Sequence, residues 1–359
     1  MIYSSDNYSP VPPEVLEALV DANKGYQPSY GADSQMTKVR HLIQKIFEAP
    51  DAAVYLVATG TAANSLILST LCEPWQTIFC SPVSHIHEDE CNAPEFFSGA
   101  KLTLVGDSDK ISPTELRKSI LAEESRGVHG PQRGPISITQ ITEKGQVYTL
   151  SEIKELSQIA KEFNLPVHMD GARFANALVS LDCTPAEMTW KAGVDAVTFG
   201  GTKNGLMGVE GVIFFDPDKA WEFELRRKRG AHLFSKHRYL SAQMLAYLEN
   251  DLWIKLANKA NKSASRLIEG LKDIKDVKFL VEPKANLMFV TMPASMHRKA
   301  FAAGLEYYTW SELDGVSDDT PVLARFVVDW SRSLDDIDEF LAIMKNLDKS
   351  VNNMTKNPD

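Results

Sequence analysis

Short runs of consecutive apolar residues alternate with segments of helical spacing through the first two-thirds of this chain. AAVYLVA (52–58) and GVIFFD (211–216) are two such runs. Strands that are apolar on both faces and separated by helices are typical of a parallel or mixed sheet covered on both sides. The pattern therefore predicts an α/β domain. Its predicted strands are 52–58, 77–83, 101–106, 134–140, 165–169, 195–201 and 211–216, and its predicted helices are 13–23, 36–49, 61–72, 112–124 and 150–164.

The pattern changes after about residue 250. Residues 253–274 have apolar side chains at helical spacing and predict one long amphipathic helix. Strands near 277–281, 287–292 and 322–328 and a helix at 335–348 follow. A length of 359 residues suits one large domain and a smaller one. We expect a large domain at 1–250, with an N-terminal arm at 1–13, and a small C-terminal α/β domain at 251–359.

Composition excludes several classes of protein. A formal net charge of −10 would repel nucleic acid, so we expect no nucleic-acid partner. The most apolar stretch, 52–72, contains Thr, Gly, Asn and Ser at its middle, which predicts a strand, a turn and a helix and no membrane span. No signal peptide is visible, so we expect a cytoplasmic protein. The scattered cysteines predict neither a metal site nor a disulfide framework; they are Cys72, Cys80, Cys91 and Cys183.

Ligands of open α/β sheets bind beyond the carboxyl ends of the strands, so the residues that follow each strand matter most. Gly60 and Thr61 follow the strand 52–58 and open a helix, which predicts a phosphate site or, alternatively, a plain strand–turn–helix junction. His85 follows 77–83 and could stack on a bound ring or accept a proton. The nearby His87 and the acids at 88–90 are predicted to be surface charges.

Two further loops carry charged side chains. Asp170 and Arg173 follow the buried strand 165–169, where a salt bridge between them is the alternative to a functional role. Lys203 follows the strand 195–201 in the sequence GTKNG. An exposed loop lysine is the alternative there, and the order of residues excludes a Walker motif.

One cofactor requires all of these groups. The aldehyde of pyridoxal 5′-phosphate (PLP) needs a lysine amine, and its pyridine nitrogen needs a carboxylate that keeps it protonated. Its phosphate needs the N-terminus of a helix. A carboxylate at the end of a buried strand, such as Asp170, is fixed and partly desolvated, so its charge acts strongly on the ring. The sequence therefore predicts a PLP enzyme.

Five motifs in order resemble the PLP-dependent threonine aldolases of low specificity, which have the fold type I of aspartate aminotransferase. HMDGARFANA is similar to the family's H-x-D-G-A-R, and SYGAD to its Y-G-x-D. ATGTAAN, SHI and GTKNG resemble its phosphate loop, loop histidine and lysine loop. The resemblance covers roughly residues 2–340. It implies a mostly parallel seven-stranded sheet, and EPKANLMFV and LARFVVDW resemble the strands of the small domain.

The resemblance also implies roles for individual residues. Lys203 would bind the cofactor covalently, Asp170 would pair with the pyridine nitrogen, and His85 would stack on the ring. Gly60 and Thr61 would hold the phosphate. Arg173, Arg325 and Ser5 would bind the substrate carboxylate, with Arg173 also beside the cofactor. Family members are homo-oligomers, commonly tetramers, so a basic residue such as Lys228 or Lys236 could reach a neighbouring phosphate.

Two departures from the family pattern leave questions open. The family's R-S-D-T is Ser4, Ser5, Asp6 and Asn7 here. Many members have a second histidine, in E-N-T-H-N, that handles the β-hydroxyl of the substrate, and we place Gln140 at that position in this chain. The base at the β-hydroxyl and the preference for threo or erythro substrates therefore stay open, with His85 as our candidate for the base.

The implied reaction is retro-aldol cleavage of an L-β-hydroxy-α-amino acid to glycine and an aldehyde. L-threonine, L-allo-threonine and L-phenylserine are the expected substrates. Aminotransfer, β-elimination and serine hydroxymethyl transfer are alternatives, because they would use the same lysine and aspartate. A non-catalytic protein of the same fold is a further alternative, which the intact Lys203, Asp170 and Arg173 oppose. An NAD-dependent enzyme is disfavoured, since no G-x-G-x-x-G opens a βα unit near the N-terminus.

Overall fold

The computed structural model describes residues 1–123 and 125–354, and the chain divides into two compact units. The larger unit comprises Val11–Glu143 and Val147–Ile254, and the smaller comprises Met1–Pro10, Lys144–Gln146 and Lys255–Asp359. Residues 1–10 thus group with the C-terminal part of the chain, whereas the sequence analysis placed them in the large domain as part of an arm. Residues 355–359 of the expected small domain lie outside the described residues.

A seven-stranded sheet forms the centre of the larger unit, in the order β1-β7-β6-β5-β4-β2-β3. Only β7 runs antiparallel to its neighbours, so the prediction of a mostly parallel α/β sheet is confirmed. The strands are β1 (Ala53–Val57), β2 (Gln76–Cys80), β3 (Lys101–Leu104), β4 (Gln132–Thr139), β5 (Val167–Gly171), β6 (Ala196–Gly200) and β7 (Glu210–Phe214).

Helices connect these strands, and side-chain caps fix where several of them begin. Ser112 accepts a hydrogen bond from the amide of Glu115, as its sequence pattern predicts. Thr149 and Glu152 form a complete capping box. The helices are α1 (Pro13–Ala22), α2 (Ser34–Ile46), α3 (Gly60–Leu71), α4 (His85–Glu88), α5 (Ala93–Ser98), α6 (Pro113–Ala122), α7 (Leu150–Glu162), α8 (Phe174–Leu181), α9 (Pro185–Met188), α10 (Ala220–Arg229), α11 (Arg238–Leu248) and α12 (Leu252–Lys272), which contains the boundary between the units.

Helix α3 is deeply buried in the larger unit. Every residue from Ala62 to Thr70 is buried. Leu66 and Ile67 belong to one apolar cluster with Val212 of β7 and Phe223 of α10. Each fully buried side chain of this kind stabilises the fold by about 1.5–3 kcal/mol, so α3 is held firmly against the sheet.

An antiparallel sheet in the order β10-β11-β9-β8 forms the smaller unit with two further helices. Its core includes Leu267, Met288, Phe326 and Phe340. The strands are β8 (Lys278–Phe279), β9 (Leu287–Pro293), β10 (Tyr308–Thr309) and β11 (Pro321–Val327), and the helices are α13 (Ala294–Ala302) and α14 (Leu334–Met354).

Tyr3 explains why the first residues belong to this smaller unit. Its ring is buried and lies 4.7 Å from the ring of Phe340. Its amide donates to the carbonyl of Glu306 at 2.7 Å, and its carbonyl accepts from the amide of Val327 at 2.9 Å. These main-chain hydrogen bonds attach the N-terminal segment to the smaller unit. No local sequence pattern could reveal this attachment.

The described helices include none that is long and apolar enough to cross a membrane. The four cysteines are free thiols. Cys72 and Cys80 are buried, Cys183 is partly buried and Cys91 is exposed.

We expect Tyr3→Ala to lower the free energy of unfolding by about 3–5 kcal/mol, the usual range for truncating a buried aromatic side chain. Urea-induced unfolding followed by circular dichroism measures it. Tyr26→Ala is the matched control, because the Tyr26 side chain is fully exposed at 102%. Equal midpoints for the two variants would show that Tyr3 does not anchor the N-terminal residues.

Candidate active site

The carboxyl ends of the parallel strands bring the predicted loops to one edge of the larger sheet. Thr139 of β4 is in register with Asp170 of β5, which is in register with Thr198 of β6. β1 and β2 run in the same direction as these strands. The residues that follow β1, β2, β4, β5 and β6 therefore lie at the same edge, as the sequence analysis predicted.

Asp170 is a buried carboxylate, with only 3% of its surface exposed. Its Oδ2 accepts a hydrogen bond from Asn64 Nδ2 at 2.9 Å, and its Oδ1 accepts one from the amide of Ala172 at 3.0 Å. Both carboxylate oxygens are thus held by donors of the larger unit. A carboxylate held in this way has a fixed orientation, which a role towards a bound ligand requires.

Asn64 joins Asp170 to two other parts of the larger unit. Its Nδ2 also donates to Glu90 Oε1 at 2.8 Å, and its Oδ1 accepts from Thr198 Oγ1 at 2.7 Å. All four side chains are buried. Sequence reasoning placed Asn64 in the motif that opens α3 without giving it a role, although its position one turn into a buried helix marks it as a polar residue that needs partners.

His168, two residues before Asp170, extends this buried network. Its Nδ1 lies 3.0 Å from Ser137 Oγ, and its Nε2 lies 3.4 Å from Thr198 Oγ1. Burial lowers the pKa of His168 to about 4, against the opposing charge of Asp170. The ring is therefore neutral near pH 7, and it packs between strands without adding charge.

Glu90 is the main correction to the sequence analysis of the loop after β2. His87 and the acids at 88 and 89 are exposed, as predicted, but Glu90 is buried. Its Oε1 lies 2.9 Å from His85 Nδ1. The hydrogen bond with Glu90 raises the pKa of His85; burial and Lys203 oppose this shift, while Asp170 and Glu143 add to it. Glu90 thus favours the protonated imidazole and fixes its orientation.

The glycines before Lys203 are required by close packing. A Cβ on Gly201 would lie 2.6 Å from Leu206 Cδ1 and 2.6 Å from the carbonyl oxygen of Val209. The Gly201 amide donates to Glu210 Oε2 at 2.7 Å. Burial raises the pKa of Glu210 to about 7, against hydrogen bonds from Thr202 and Gly201. This contact fixes the start of the loop that carries Lys203.

Lys203 is partly buried in a short 3-10 turn at Thr202–Asn204. The turn is anchored by Asn204, whose Nδ2 donates to Tyr247 Oη at 2.7 Å and to the carbonyl of Trp253 at 2.9 Å. The charge of Lys203 lowers the pKa of His85, as it also does for Glu143 and Glu210. Lys203 therefore lies among the titratable groups of the sheet edge and does not project away from them.

Helix α3 begins with an open first turn. Thr59 caps it by accepting a hydrogen bond from the amide of Ala62 at 3.1 Å. A Cβ on Gly60 would meet nothing within 4 Å, so there is space beside the first residue of the helix. A helix N-terminus with such space is suited to an anionic group.

In the loop after β4, Glu143 and not Gln140 is the residue that interacts with the charged groups of the sheet edge. Gln140 is fully buried, and its side-chain amide bonds the main-chain N–H and carbonyl of Tyr148, both at 2.9 Å. It is a structural residue. Glu143 is the side chain of this loop whose charge interacts with Lys203, Asp170, His85 and Arg173. Placing the threonine of the family's E-N-T-H-N on Thr142 would have identified Glu143.

Ser5 and Arg325 lie near each other within the smaller unit. Ser5 Oγ accepts from the amide of Asn7 at 3.2 Å. Arg325 Nη2 donates to the carbonyl of Ser4 at 3.1 Å, and its guanidinium lies 5.1 Å from the ring centre of Tyr308. Arg173 is in the larger unit, where it is buried and acts on the charge of Glu143. The grouping of all three at one substrate stays a prediction.

Of the two basic residues considered for a neighbouring site, Lys228 and Lys236 are both exposed. Lys228 Nζ lies 5.3 Å from the ring centre of Tyr30, in the segment SYGAD. Their roles also stay predictions.

Comparison with known proteins gives consistent matches over most of the chain. The family model described as β-eliminating lyase matches residues 3–295. The low-specificity L-threonine aldolase of Pseudomonas aeruginosa is 37% identical over 339 residues, covering 94% of this chain and 95% of that protein. The low-specificity L-threonine aldolase of Pseudomonas sp. strain NCIMB 10558 is 40% identical over 330 residues, covering 91% and 92%.

The solved structures include a close match in fold. A Leishmania major threonine aldolase superposes with a TM-score of 0.90 at 25% sequence identity. The match covers 97% of this chain and 99% of that chain. The similarity thus includes both units of the chain.

We expect Glu90→Gln to lower the pKa of His85, because the substitution replaces the carboxylate whose hydrogen bond contributes most to raising it. Titration of the His85 imidazole by NMR measures the shift. Glu88→Gln is the matched control, since Glu88 lies on the same short helix as His85 and is exposed. An unchanged His85 titration in Glu90→Gln would show that the buried carboxylate does not control the imidazole.

Proposed function

The chain belongs to the β-eliminating lyase family, and from this premise we propose that it has the activity of a low-specificity L-threonine aldolase. It is a PLP-dependent aldehyde-lyase of fold type I that cleaves L-β-hydroxy-α-amino acids to glycine and an aldehyde. L-threonine and L-allo-threonine would give acetaldehyde, and L-phenylserine would give benzaldehyde. The observation that carries the proposal is the fixed, buried carboxylate of Asp170 at the sheet edge that also bears Lys203.

The residues present fit PLP. The open first turn of α3 at Gly60 and Thr61 suits its phosphate. Asp170 suits its pyridine nitrogen, and Lys203 suits its aldehyde carbon. His85 is proposed to lie against the ring and to take part in proton transfer. When bound, PLP supplies a ring system that accepts the electron pair of the bond broken in the amino acid and returns it to Cα.

The chain's own contribution is to hold charges in place. Asp170 cannot turn away from a bound ring without losing its bonds to Asn64 and to the Ala172 amide. A charge that is already oriented needs no reorganisation during the reaction, and it acts strongly because the surroundings exclude water.

Arg173, Arg325 and Ser5 are proposed to bind the substrate carboxylate. A guanidinium can bind a carboxylate through two parallel hydrogen bonds, which fixes orientation as well as position. The bond between Arg325 and the Ser4 carbonyl supports this role, because it limits the positions that the guanidinium can adopt. An oriented carboxylate in turn sets which bond of the substrate faces the cofactor ring.

We also propose that the chain acts in the cytoplasm as a homo-oligomer, a dimer or tetramer. The support is the family resemblance of its sequence.

Incubation of the purified protein with L-threonine, L-allo-threonine and L-phenylserine tests the proposed function. We expect aldehyde and glycine in equal amounts, and we expect Lys203→Ala to lose both the product and the absorbance band of covalently bound PLP. β-Elimination, which the name of the matching family favours as a second candidate, would release ammonia and a keto acid without glycine. Such products from the wild-type protein would contradict the aldolase assignment.

We expect Asp170→Asn to lower kcat by on the order of a hundredfold or more, because the neutral amide preserves the shape but removes the charge beside the pyridine nitrogen. Steady-state kinetics with L-phenylserine measures the effect. Asp182→Asn is the control, since Asp182 is exposed on the loop after α8. A kcat equal to wild type in Asp170→Asn, with PLP bound, would contradict the role of Asp170.

A further inference from the structure

The loop after β4 brings a carboxylate to the candidate active site that the proposed function has not used. Thr139, the last residue of β4, is in register with Asp170. The amide of the next residue, Gln140, donates to the Asp170 carbonyl at 2.8 Å. The loop therefore starts beside the strand end that carries Asp170, and Glu143 follows three residues after Gln140.

Buried contacts hold this loop in place up to the residue before Glu143. The Gln140 side chain bonds the main chain of Tyr148 through both its amide and its carbonyl. Thr142 Oγ1 donates to Asp109 Oδ2 at 2.7 Å, and both residues are buried. Glu143 is thus presented by a rigid support, which a group that moves protons needs.

Charged groups from three other elements act electrostatically on the carboxyl of Glu143, which is partly buried. Burial raises its pKa above the ordinary range for glutamate, and Asp170 of β5 raises it further. Lys203 after β6, His85 of α4 and Arg173 after β5 oppose the rise, Lys203 most strongly. The net direction is upward, towards the pH range in which a general base is most effective.

His85 is less suited to accept a proton from the substrate. Its Nδ1 is engaged by Glu90 at 2.9 Å, and that contact raises the pKa of the imidazole. A ring that stays protonated to higher pH is available as a proton acceptor in a smaller fraction of the molecules. The contact with Glu90 instead suits the ring to proton donation.

We propose that Glu143 is the base that accepts the β-hydroxyl proton of the amino-acid substrate. The O–H proton moves to the Glu143 carboxylate, and the O–H electron pair forms the carbonyl double bond of the aldehyde. The Cα–Cβ bond breaks, and its electron pair stays with the glycine fragment. Cα then gains a proton and Glu143 loses one, directly or through solvent, so the overall reaction has no net change in protons.

This inference rests on the proposed aldolase function, and measurements with glycine test the inference separately from that function. Glycine lacks a β-hydroxyl, so its equilibrium binding and the exchange of its α-hydrogen with deuterated solvent report on the rest of the site. The experiment compares PLP-loaded wild type, Glu143→Gln and Glu143→Asp in glycine binding by absorbance, α-hydrogen exchange by NMR, and the pH dependence of kcat/KM for L-allo-threonine. Glu155→Gln, on the exposed face of α7, is the matched control.

We expect kcat/KM of the wild type to be highest above the pKa of Glu143 and to fall as the pH drops through it, because the base must be ionised. Glu143→Gln should lose about 10²–10⁴-fold in kcat/KM and lose that acid limb, while glycine binding and exchange stay at wild-type values. Glu143→Asp should retain the limb and part of the activity.

Two results would overturn the proposal while the aldolase function stands. One is Glu143→Gln with wild-type aldehyde release and the same acid limb. The other is a loss of glycine exchange as large as the loss of aldehyde release, which would make Glu143 a general structural residue. A wild-type protein that exchanges glycine but releases no aldehyde from any substrate would overturn the proposed function, and this inference with it.

Discussion

The side-chain amide of Asn64 can satisfy its hydrogen bonds only when three other parts of the larger unit are in place. Its Nδ2 needs both Asp170 and Glu90, and its Oδ1 needs the hydroxyl of Thr198. An unpaired amide at this depth would cost about 1–3 kcal/mol, so the arrangement is favoured as a whole or not at all. The positions of the carboxylate on β5 and of the imidazole on α4 are thereby linked through one residue of α3.

This link also distributes charge. Glu90 and Asp170 are both buried carboxylates, and each accepts a hydrogen bond from the same amide nitrogen, Asn64 Nδ2. Glu90 in addition contacts the imidazole of His85, and this hydrogen bond raises the pKa of the ring. A neutral donor thus lies between two carboxylates that would otherwise repel each other. Glu90 contacts His85, and Asp170 is oriented for the proposed role towards a bound ligand.

Much of the fold followed from local pattern, because buried strands and capped helices leave short-range signals. The strand ends and their loops identified Asp170, His85 and Lys203 as neighbours for the same reason. Burial within the acidic run SHIHEDE was not predictable, since a turn of only four helical residues sends Glu90 inward and leaves Glu88 outside. Glu143 could have been identified by placing the motif's threonine on Thr142, whereas the attachment of Tyr3 depends on residues about 300 positions away.

The attachment of Tyr3 can form only late in the synthesis of the chain. The main chain of Tyr3 is bonded to Glu306 and to Val327, so the segment emerges from the ribosome long before its partners exist. Doubling the length of an intervening loop costs only about 0.6 kcal/mol in closure entropy. The long separation in sequence therefore delays the attachment of Tyr3 but adds little to its free-energy cost. Until Phe340 has been added, the ring of Tyr3 lacks the aromatic side chain against which it packs, so it stays exposed on the nascent chain.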